Sequence, residues 1–431
     1  MTDTIYWTAT APGRAGVAVV RVSGPHAGET LKALAGAIPQ ARKASLRWLR
    51  DPVKNVAIDQ GLTLWFPAPG SFTGEDVAEF QIHGGPATVA ALVQAISRME
   101  GRRAAEPGEF TRRAFLNGKL DLTEVEALAD LISAETEAQR LLALRGVAGE
   151  ARRLYEGWRG RLVAIMAQVE ATIDFADEEI PDDLIPKAMA RARALAEEMR
   201  AHLADDGVGE RLRDGFTVAI LGAPNAGKSS LLNRMAARDA AIVTSQAGTT
   251  RDPIEVHLNL GGYPLTIIDT AGLRETDDPI EREGVRRARE KAKSADLKLL
   301  LLDGAASPEL LVEMTGSYLL VANKIDQTPA PAGVMGVSAL TGEGLSELTQ
   351  ELARRAGRRL SVGASLPVLR ARHREAVEGA LAALVRAESA GGADLAAEDL
   401  RLAARAIGSV TGRVDVDDWL DVIFKEFCIG K

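Results

Sequence analysis

The stretch "GAPNAGKSS" (222–230) has the G-x-x-x-x-G-K-[ST] spacing that holds phosphate groups. Its glycines let the backbone curl until N–H groups converge on phosphate oxygens, and the helix that should follow adds its positive end. Lys228 would reach the β- and γ-phosphates, and Ser229 would offer its hydroxyl to Mg2+. Further on, "DTAG" (269–272) supplies an acid, Asp269, that can hold the Mg2+ shell through water. It also supplies an N–H at Gly272 for the γ-phosphate. In "NKID" (323–326) the Asp326 carboxylate can accept two hydrogen bonds from the N1–H and N2–H2 edge of guanine, a pair that adenine cannot donate. Asn323 and Lys324 would steady that loop and the base. "SAL" (338–340) arrives where a second base-contacting loop is expected. Between the first two motifs lies "TSQAGTTRD" (244–252), whose Thr250 can ligate Mg2+ only while the γ-phosphate is present, which makes a switch. In this order the motifs imply GTP.

The hydrolytic water is less well provided for. Small GTPases often place a glutamine just after D-x-x-G, and Leu273 stands there instead. Arg251, Arg274 and Arg282 are candidate arginine fingers. Asn225 offers another route: its amide oxygen can help hold a monovalent cation where a finger would place its charge.

These residues need a scaffold, and the sequence outlines one. From 215 to about 358, strand-like runs alternate with helical ones: "FTVAILG", "KSSLLNRMA", "PLTIIDT", "LKLLLLD" and "SYLLVANK". That alternation predicts a parallel sheet with helices on both faces. Residues 1–118 mix short strands, such as "GVAVVRVSG" (16–24) and "VAEFQIHGG" (77–85), with a helix over 85–100, giving an α+β domain. Residues 119–214 and 361–431 carry apolar side chains at three- and four-residue spacing. The α/β block (215–360) is therefore expected as an insertion into one helical domain built from both flanks. The acidic run "ADEEIPDD" (176–183) reads as a solvated turn.

Composition limits the classes. With 431 residues, two to four domains are expected. A single cysteine fits a reducing compartment. The start lacks a signal-peptide pattern and no apolar run is long enough to span a bilayer, so a cytoplasmic protein without membrane partners is expected. A net charge of −8 argues against a general nucleic-acid glue and leaves any such partner to local patches or a second protein. The five histidines show no metal-ligand spacing. A GTP-switched assembly factor would share the nucleotide motifs but bring a basic RNA-binding module, which the sequence does not suggest.

Taken with "PGRAGVAVVRVSG", "FTGEDVAEFQIHGG", "PGEFTRRAFLNGKLDLTEVEALADLI", "IDFADEEI", "AIVTSQAGTTRD", "DTAGLRET" and the terminal "FCIGK", the chain resembles the MnmE (TrmE) family of tRNA-modification GTPases over its whole length. The resemblance implies an N-terminal domain for tetrahydrofolate binding and dimerisation, a split α-helical domain and an inserted Ras-like P-loop G domain. It implies nucleotide contacts from Asn225, Ala226, Gly227, Lys228, Ser229 and Ser230, and from Thr244, Ser245, Gln246, Ala247, Gly248, Thr249 and Thr250. Asp269, Thr270, Ala271 and Gly272 would add to these, as would Asn323, Lys324, Asp326, Ser338 and Ala339. Mg2+ would take Ser229 and Thr250. K+ would take Asn225, Thr244, Gln246 and Thr249, pairing two G domains and replacing an arginine finger. Glu281 would orient the attacking water through a bridging water, with Lys228 as the other catalytic group. Arg21, Glu79, Lys119 and Lys431 match positions that contact 5-formyl-tetrahydrofolate. The implied partners are a second copy, an FAD-dependent MnmG (GidA) flavoprotein in a heterotetramer, and tRNA. The implied product carries an aminomethyl or carboxymethylaminomethyl group at C5 of the wobble uridine.

The only cysteine, Cys428, is the fourth residue counted from the chain end. A prenylation box fits poorly, because Gly430 is not aliphatic and Lys431 ends the chain. A thiol activated by Lys431 remains open. So does a small buried hydrophobe, since "WLDVIFKEFCI" looks like a docked helix. The resemblance places this tail near the folate pocket.

Overall fold

A computed structural model describes residues 3–174, 181, 183–205, 207–223, 225–238, 255–269, 294–303, 317–363, 366–414, 420, 423, 424, 427 and 430. The chain divides into two compact units. One comprises Met1–Ala129, Ala151–Glu156 and Gly408–Lys431; the other comprises Asp130–Glu150 and Gly157–Ile407.

The first unit is built on strands β1 (Thr4–Thr8), β2 (Ala15–Ser23), β3 (Ser45–Arg50), β4 (Ala57–Phe66), β5 (Val77–Gly84) and β6 (Arg102–Ala104). They form one sheet in the order β3-β4-β5-β2-β1-β6, antiparallel except for the β1–β6 pair. Helices α1 (Ala27–Ala35) and α2 (Pro86–Ser97) cover one face. The strand period of two decides which residues they cover. On β2, Val20 and Val22 point into a core with Phe80, Ile82, Leu31, Leu34, Leu92 and Ile96. Arg21, between them, points the other way. Helix α3 (Glu109–Leu116) follows, and α4 (Leu122–Ser133) begins under a capping box in which Asp121 and Glu124 exchange hydrogen bonds.

Arg113 on α3 has no solvent exposure. It donates to the Asp3 carbonyl and carboxylate, to Glu75 and to Glu109 at 3.0 Å each. A buried guanidinium needs such company, because the desolvation cost of an unpaired charge is several kcal/mol. The C-terminal apolar run also packs in this unit. Leu420, Ile423, Phe424 and Phe427 are buried with Leu122 and Val125, and the Phe424 ring lies 6.5 Å from that of Phe115. Each such side chain contributes about 1.5–3 kcal/mol by leaving water.

The second unit carries helices α5 (Glu137–Val147), α6 (Glu150–Asp174, from Gly157 onward), α7 (Leu184–Leu203) and α8 (Val208–Asp214). The α/β block follows, with β7 (Phe216–Gly222), α9 (Lys228–Arg238), β8 (Glu255–Leu260), β9 (Tyr263–Asp269), β10 (Leu297–Asp303), β11 (Tyr318–Asn323), β12 (Met335–Gly336) and α10 (Leu345–Arg359). Helices α11 (Ala371–Glu388) and α12 (Ala393–Val410) complete the described elements. Helices from the two flanks of the block meet: Arg193 of α7 pairs with Glu388 of α11, and Arg374 of α11 pairs with Asp205 just beyond α7. At its start α5 is capped by Thr136 and Gln139, and Gln139 also donates to the Arg213 carbonyl, which ties α5 to α8.

The block's sheet runs β12-β11-β10-β7-β9-β8. Its inner strands are parallel, as the alternating pattern predicts. The edge differs: β8 runs antiparallel to β9. The reason is the link between them. Gly261 and Gly262 alone join the strands, both at positive φ (61° and 85°). A two-residue turn of that hand reverses the chain, whereas a parallel crossover needs a dozen residues or more. Among the described residues no helix is long and apolar enough to cross a membrane.

Candidate functional site

Strand β7 is buried between β9 and β10, and it delivers the glycine-rich loop at its C-terminal end. Within the loop Asn225 takes a left-handed φ of 65° and remains exposed. Lys228 opens α9 and is nearly buried. Its Nζ donates to the carbonyls of Gly222 (2.9 Å) and Ala223 (3.0 Å), so the ammonium lies across the mouth of the loop. Ser229 and Ser230, the next two residues of α9, are exposed. Asp269 ends β9 in register with Ile220 of β7, which brings its backbone beside the strand that leads into the loop.

Asn323 ends β11 and is 2% exposed. Its amide nitrogen donates to the Ala226 carbonyl at 2.8 Å, and its amide oxygen accepts from the Ala339 N–H at 3.0 Å. One side chain thus ties the phosphate loop to the "SAL" loop. Lys324, at φ 64°, turns the chain and pairs with Asp303 at 2.8 Å. Both members are about half-exposed, so the pair contributes little to stability. Asp326 Oδ1 accepts from the Ser338 hydroxyl at 2.6 Å, and Ser338 Oγ accepts from the Thr341 N–H at 3.0 Å. Ser338 is fully buried while Asp326 faces solvent. The loops therefore gather Asn225, Lys228, Ser229, Asn323, Asp326, Ser338 and Ala339 at the C-terminal end of the parallel strands, where doubly wound sheets bind their ligands. The stitching role of Asn323 and the orienting role of Ser338 are not legible in motif spacing.

The first unit has a second cluster on the sheet face that its helices leave uncovered. Arg21 and Glu79 are directly opposed on β2 and β5, and Nε–Oε1 is 2.9 Å. The Arg21 guanidinium lies 5.4 Å from the Phe72 ring centre and 5.7 Å from that of Phe110. These rings escape sequence reasoning, because nothing in their spacing relates them to Arg21. Lys119 reaches the Pro69 carbonyl at 3.0 Å, on the same loop as Phe72. The tail arrives at β1: a Cβ on Gly430, whose φ is 105°, would fall 2.2 Å from the Thr8 carbonyl oxygen. Trp7, next to Thr8, is the cross-strand partner of Arg21.

Residues 4–119 match the family model described as "GTP-binding protein TrmE N-terminus", and residues 122–428 match the "MnmE helical domain" model. Among curated relatives, the tRNA modification GTPase MnmE of Parvibaculum lavamentivorans is 55% identical over 439 residues, covering 100% of both chains. The protein of the same name from Paramagnetospirillum magneticum is 55% identical over 443 residues, again covering 100% of both. That from Rhodospirillum rubrum is 53% identical, over 100% of this chain and 99% of its own. The chain belongs to the MnmE family.

Several residues that the MnmE resemblance singles out lie outside the described residues. They are Thr244, Ser245, Gln246, Ala247, Gly248, Thr249 and Thr250; Thr270, Ala271 and Gly272; and Glu281, Cys428 and Lys431. Leu273, Arg251, Arg274 and Arg282 lie outside them too. The described nucleotide residues of the resemblance are those of the glycine-rich loop, the end of β9, and the "NKID" and "SAL" loops.

Proposed function

We propose that this chain hydrolyses GTP to GDP and phosphate and that this activity serves tRNA modification. The observation that carries the reading is the Asn323 bridge, which holds the guanine-reading Asp326–Ser338 pair and the phosphate loop as one site. Asp326 would accept from the guanine edge. The loop N–H groups would bind the phosphates, and Lys228 would exchange its two carbonyl partners for phosphate oxygens. The developing negative charge would then meet a preorganised cation. Ser229, exposed at the first turn of α9, fits a Mg2+ ligand, with Thr250 as the second; the ion would neutralise phosphate charge. Asn225, exposed beside the loop, fits a K+ ligand together with Thr244, Gln246 and Thr249. Glu281 would orient the water. Thr270, Ala271 and Gly272 would line the γ-phosphate side with Asp269.

In the same reading the chain comprises residues 1–118, 119–214, 215–360 and 361–431 as an N-terminal domain, a helical part, a G domain and a second helical part. The Arg21–Glu79 face, with Lys119 and Lys431, would hold 5-formyl-tetrahydrofolate. A carboxylate such as Glu79 suits the N–H edge of a pterin, and the cations suit its glutamate tail. The protein would act in the cytoplasm as a homodimer. With an FAD-dependent MnmG-type partner it would install the (carboxymethyl)aminomethyl group on wobble uridine, using the folate one-carbon unit.

GTP and ATP turnover compared in K+ and in Na+ at equal ionic strength tests the nucleotide part. GTP turnover faster in K+ is expected. Equal rates for the two nucleotides would overturn the reading, and equal rates in the two salts would remove K+ from it. Nucleoside analysis of tRNA from a deletion strain tests the rest, since unmodified wobble uridine is expected.

A further inference from the structure

We infer that the β8–β9 hairpin is a latch between the nucleotide site and α5, released when a γ-phosphate is bound, an inference that rests on GTP being the ligand. In the chain, β8 follows "TSQAGTTRD" and β9 runs into "DTAG". The open end of the hairpin therefore carries both stretches that would meet the γ-phosphate. Its closed end, the turn at Gly261 and Gly262, docks on the start of α5. The Ala138 N–H donates to the Gly262 carbonyl at 3.1 Å, and Asn259 Nδ2 donates to the Glu135 carbonyl at 3.3 Å. Asn259 Oδ1 accepts the Gly262 N–H at 3.1 Å, so one side chain both shapes the turn and fastens it. All of these residues belong to the second unit.

Both sides of this contact are firm. The ladder runs without a shift from the Glu255–Ile268 pair to the Leu260–Tyr263 pair. Val256, Leu258 and Leu260 are buried on β8, and Leu265 and Ile267 on β9, so a slip by one residue would turn them outward. The hairpin therefore moves as one piece, over the roughly 17–20 Å that a six-residue strand spans. On the other side α5 starts under the Thr136–Gln139 capping box, with Thr136 buried, and Gln139 fastens it to the Arg213 carbonyl. The contact between the two is the weak element. Asn259 and Glu135 are exposed. Ala138 carries one of the helix-start N–H groups that find no partner within the helix, and water can take the place of Gly262 there. A bond whose partners water can replace contributes little, so the dock opens before the ladder or the cap. Thr250 and Gly272 gathered on a γ-phosphate would draw the open end of the hairpin towards the phosphate loop. A stiff hairpin then pulls its turn off α5. By linkage, holding the turn on α5 must weaken GTP more than GDP, which lacks the γ-phosphate.

A disulfide can lock the latch. A Cβ on Gly262 would lie 3.8 Å from Glu137 Cβ, within the separation of about 3.5–4.5 Å that a disulfide spans. Gly262 has a φ of 85°, so a cysteine there is strained, and the reduced form of the same variant is the control. The test uses the full chain carrying Glu137→Cys, Gly262→Cys and Cys428→Ser, in which the new pair are the only thiols. It is titrated, oxidised and reduced, with fluorescent GDP and a fluorescent non-hydrolysable GTP analogue. Oxidation should lower affinity for the analogue relative to GDP by about fivefold or more, and dithiothreitol should restore the ratio. Asn259→Ala, which loosens the latch, should shift the ratio the opposite way by about twofold or more. A lock confirmed by mass spectrometry that leaves the ratio unchanged, or that favours the analogue, would overturn the latch and leave GTP as the ligand. If the disulfide does not form, Asn259→Ala decides alone, and an unchanged ratio overturns the latch. Wild type that binds guanine and adenine nucleotides equally would overturn the GTP reading and the latch with it.

Discussion

Replacing Asp326 by asparagine keeps the size and shape of the side chain and changes what it offers a base. Its neighbour fixes the outcome. Ser338 Oγ accepts from the Thr341 N–H, so its own hydrogen is available for Asp326, whose Oδ1 takes it at 2.6 Å. In the variant the amide oxygen should keep that bond. The amide nitrogen must then face the base as a donor. Against guanine it meets N1–H and N2–H2, two donors, so two hydrogen bonds to a charged acceptor are lost. At about 1.5–3 kcal/mol each, the loss is roughly 3–6 kcal/mol, or a hundredfold or more in affinity. Against xanthine the same nitrogen meets the O2 acceptor and recovers part of the binding. Fluorescent-nucleotide titrations of Asp326→Asn with GDP and xanthosine diphosphate measure both. A variant that kept its guanine preference would refute the assignment of Asp326. A variant that lost both nucleotides would refute the orientation set by Ser338.

Four further outcomes are expected. Asn323→Ala leaves the Ala226 carbonyl and the Ala339 N–H without partners, at about 1–3 kcal/mol each; thermal unfolding and GDP affinity should both fall, and a fall in neither would remove the bridge from the site. Arg113→Met leaves the buried Glu109 and the partly buried Glu75 beside a lost cation and should cost about 3–5 kcal/mol, read by denaturant unfolding. Burial pushes the Glu109 carboxyl up, but Arg103, the Glu106 N–H and Arg113 together bring it below its usual 4.5; a lowered carboxylate stabilises above that value, so stability should fall as pH drops below about 4.5, and less steeply in the variant. Gly430→Ala puts a Cβ against the Thr8 carbonyl at a φ of 105°; strain of about 1–3 kcal/mol should weaken 5-formyl-tetrahydrofolate binding by about tenfold, read by calorimetry, while GTP turnover is unchanged.

The sequence makes the nucleotide half legible because its chemistry is local. The proposed phosphate loop, strand-end acid and guanine reader each occupy a few consecutive residues, and the strands around them are continuous apolar runs such as "LKLLLLD". The antiparallel edge strand is not legible, because "GG" at 261–262 lies between two runs that an alternating strand–helix pattern absorbs. The Arg21 environment was illegible for a different reason. Glu79 lies 58 residues from Arg21, and their contact depends on the register of β2 with β5. Phe72 and Phe110 come from a loop and a helix, so no period in the chain relates them to the arginine they flank.

Asn323 also says something about how specificity and catalysis are joined. If separate groups held the base loop and the phosphate loop, losses at Asp326 and at Lys228 would add. Here the Asn323 amide bonds to the carbonyl two residues before Lys228 and to the N–H that follows Ser338. The first bond is buried and the second partly so, and polar partners there are costly to leave unmatched. Loosening either loop must therefore strain the other, and residues that share a network do not contribute independently. A double-mutant cycle between Ser338→Ala and Gly227→Ala, read as GDP affinity, should show a coupling energy of about 0.5–3 kcal/mol. A Cβ at 227 would fall 2.3 Å from the Asn323 amide nitrogen, so that substitution presses on the bridge directly. Strict additivity would mean that the two loops bind their halves of the nucleotide separately, and that the bridge only fills space.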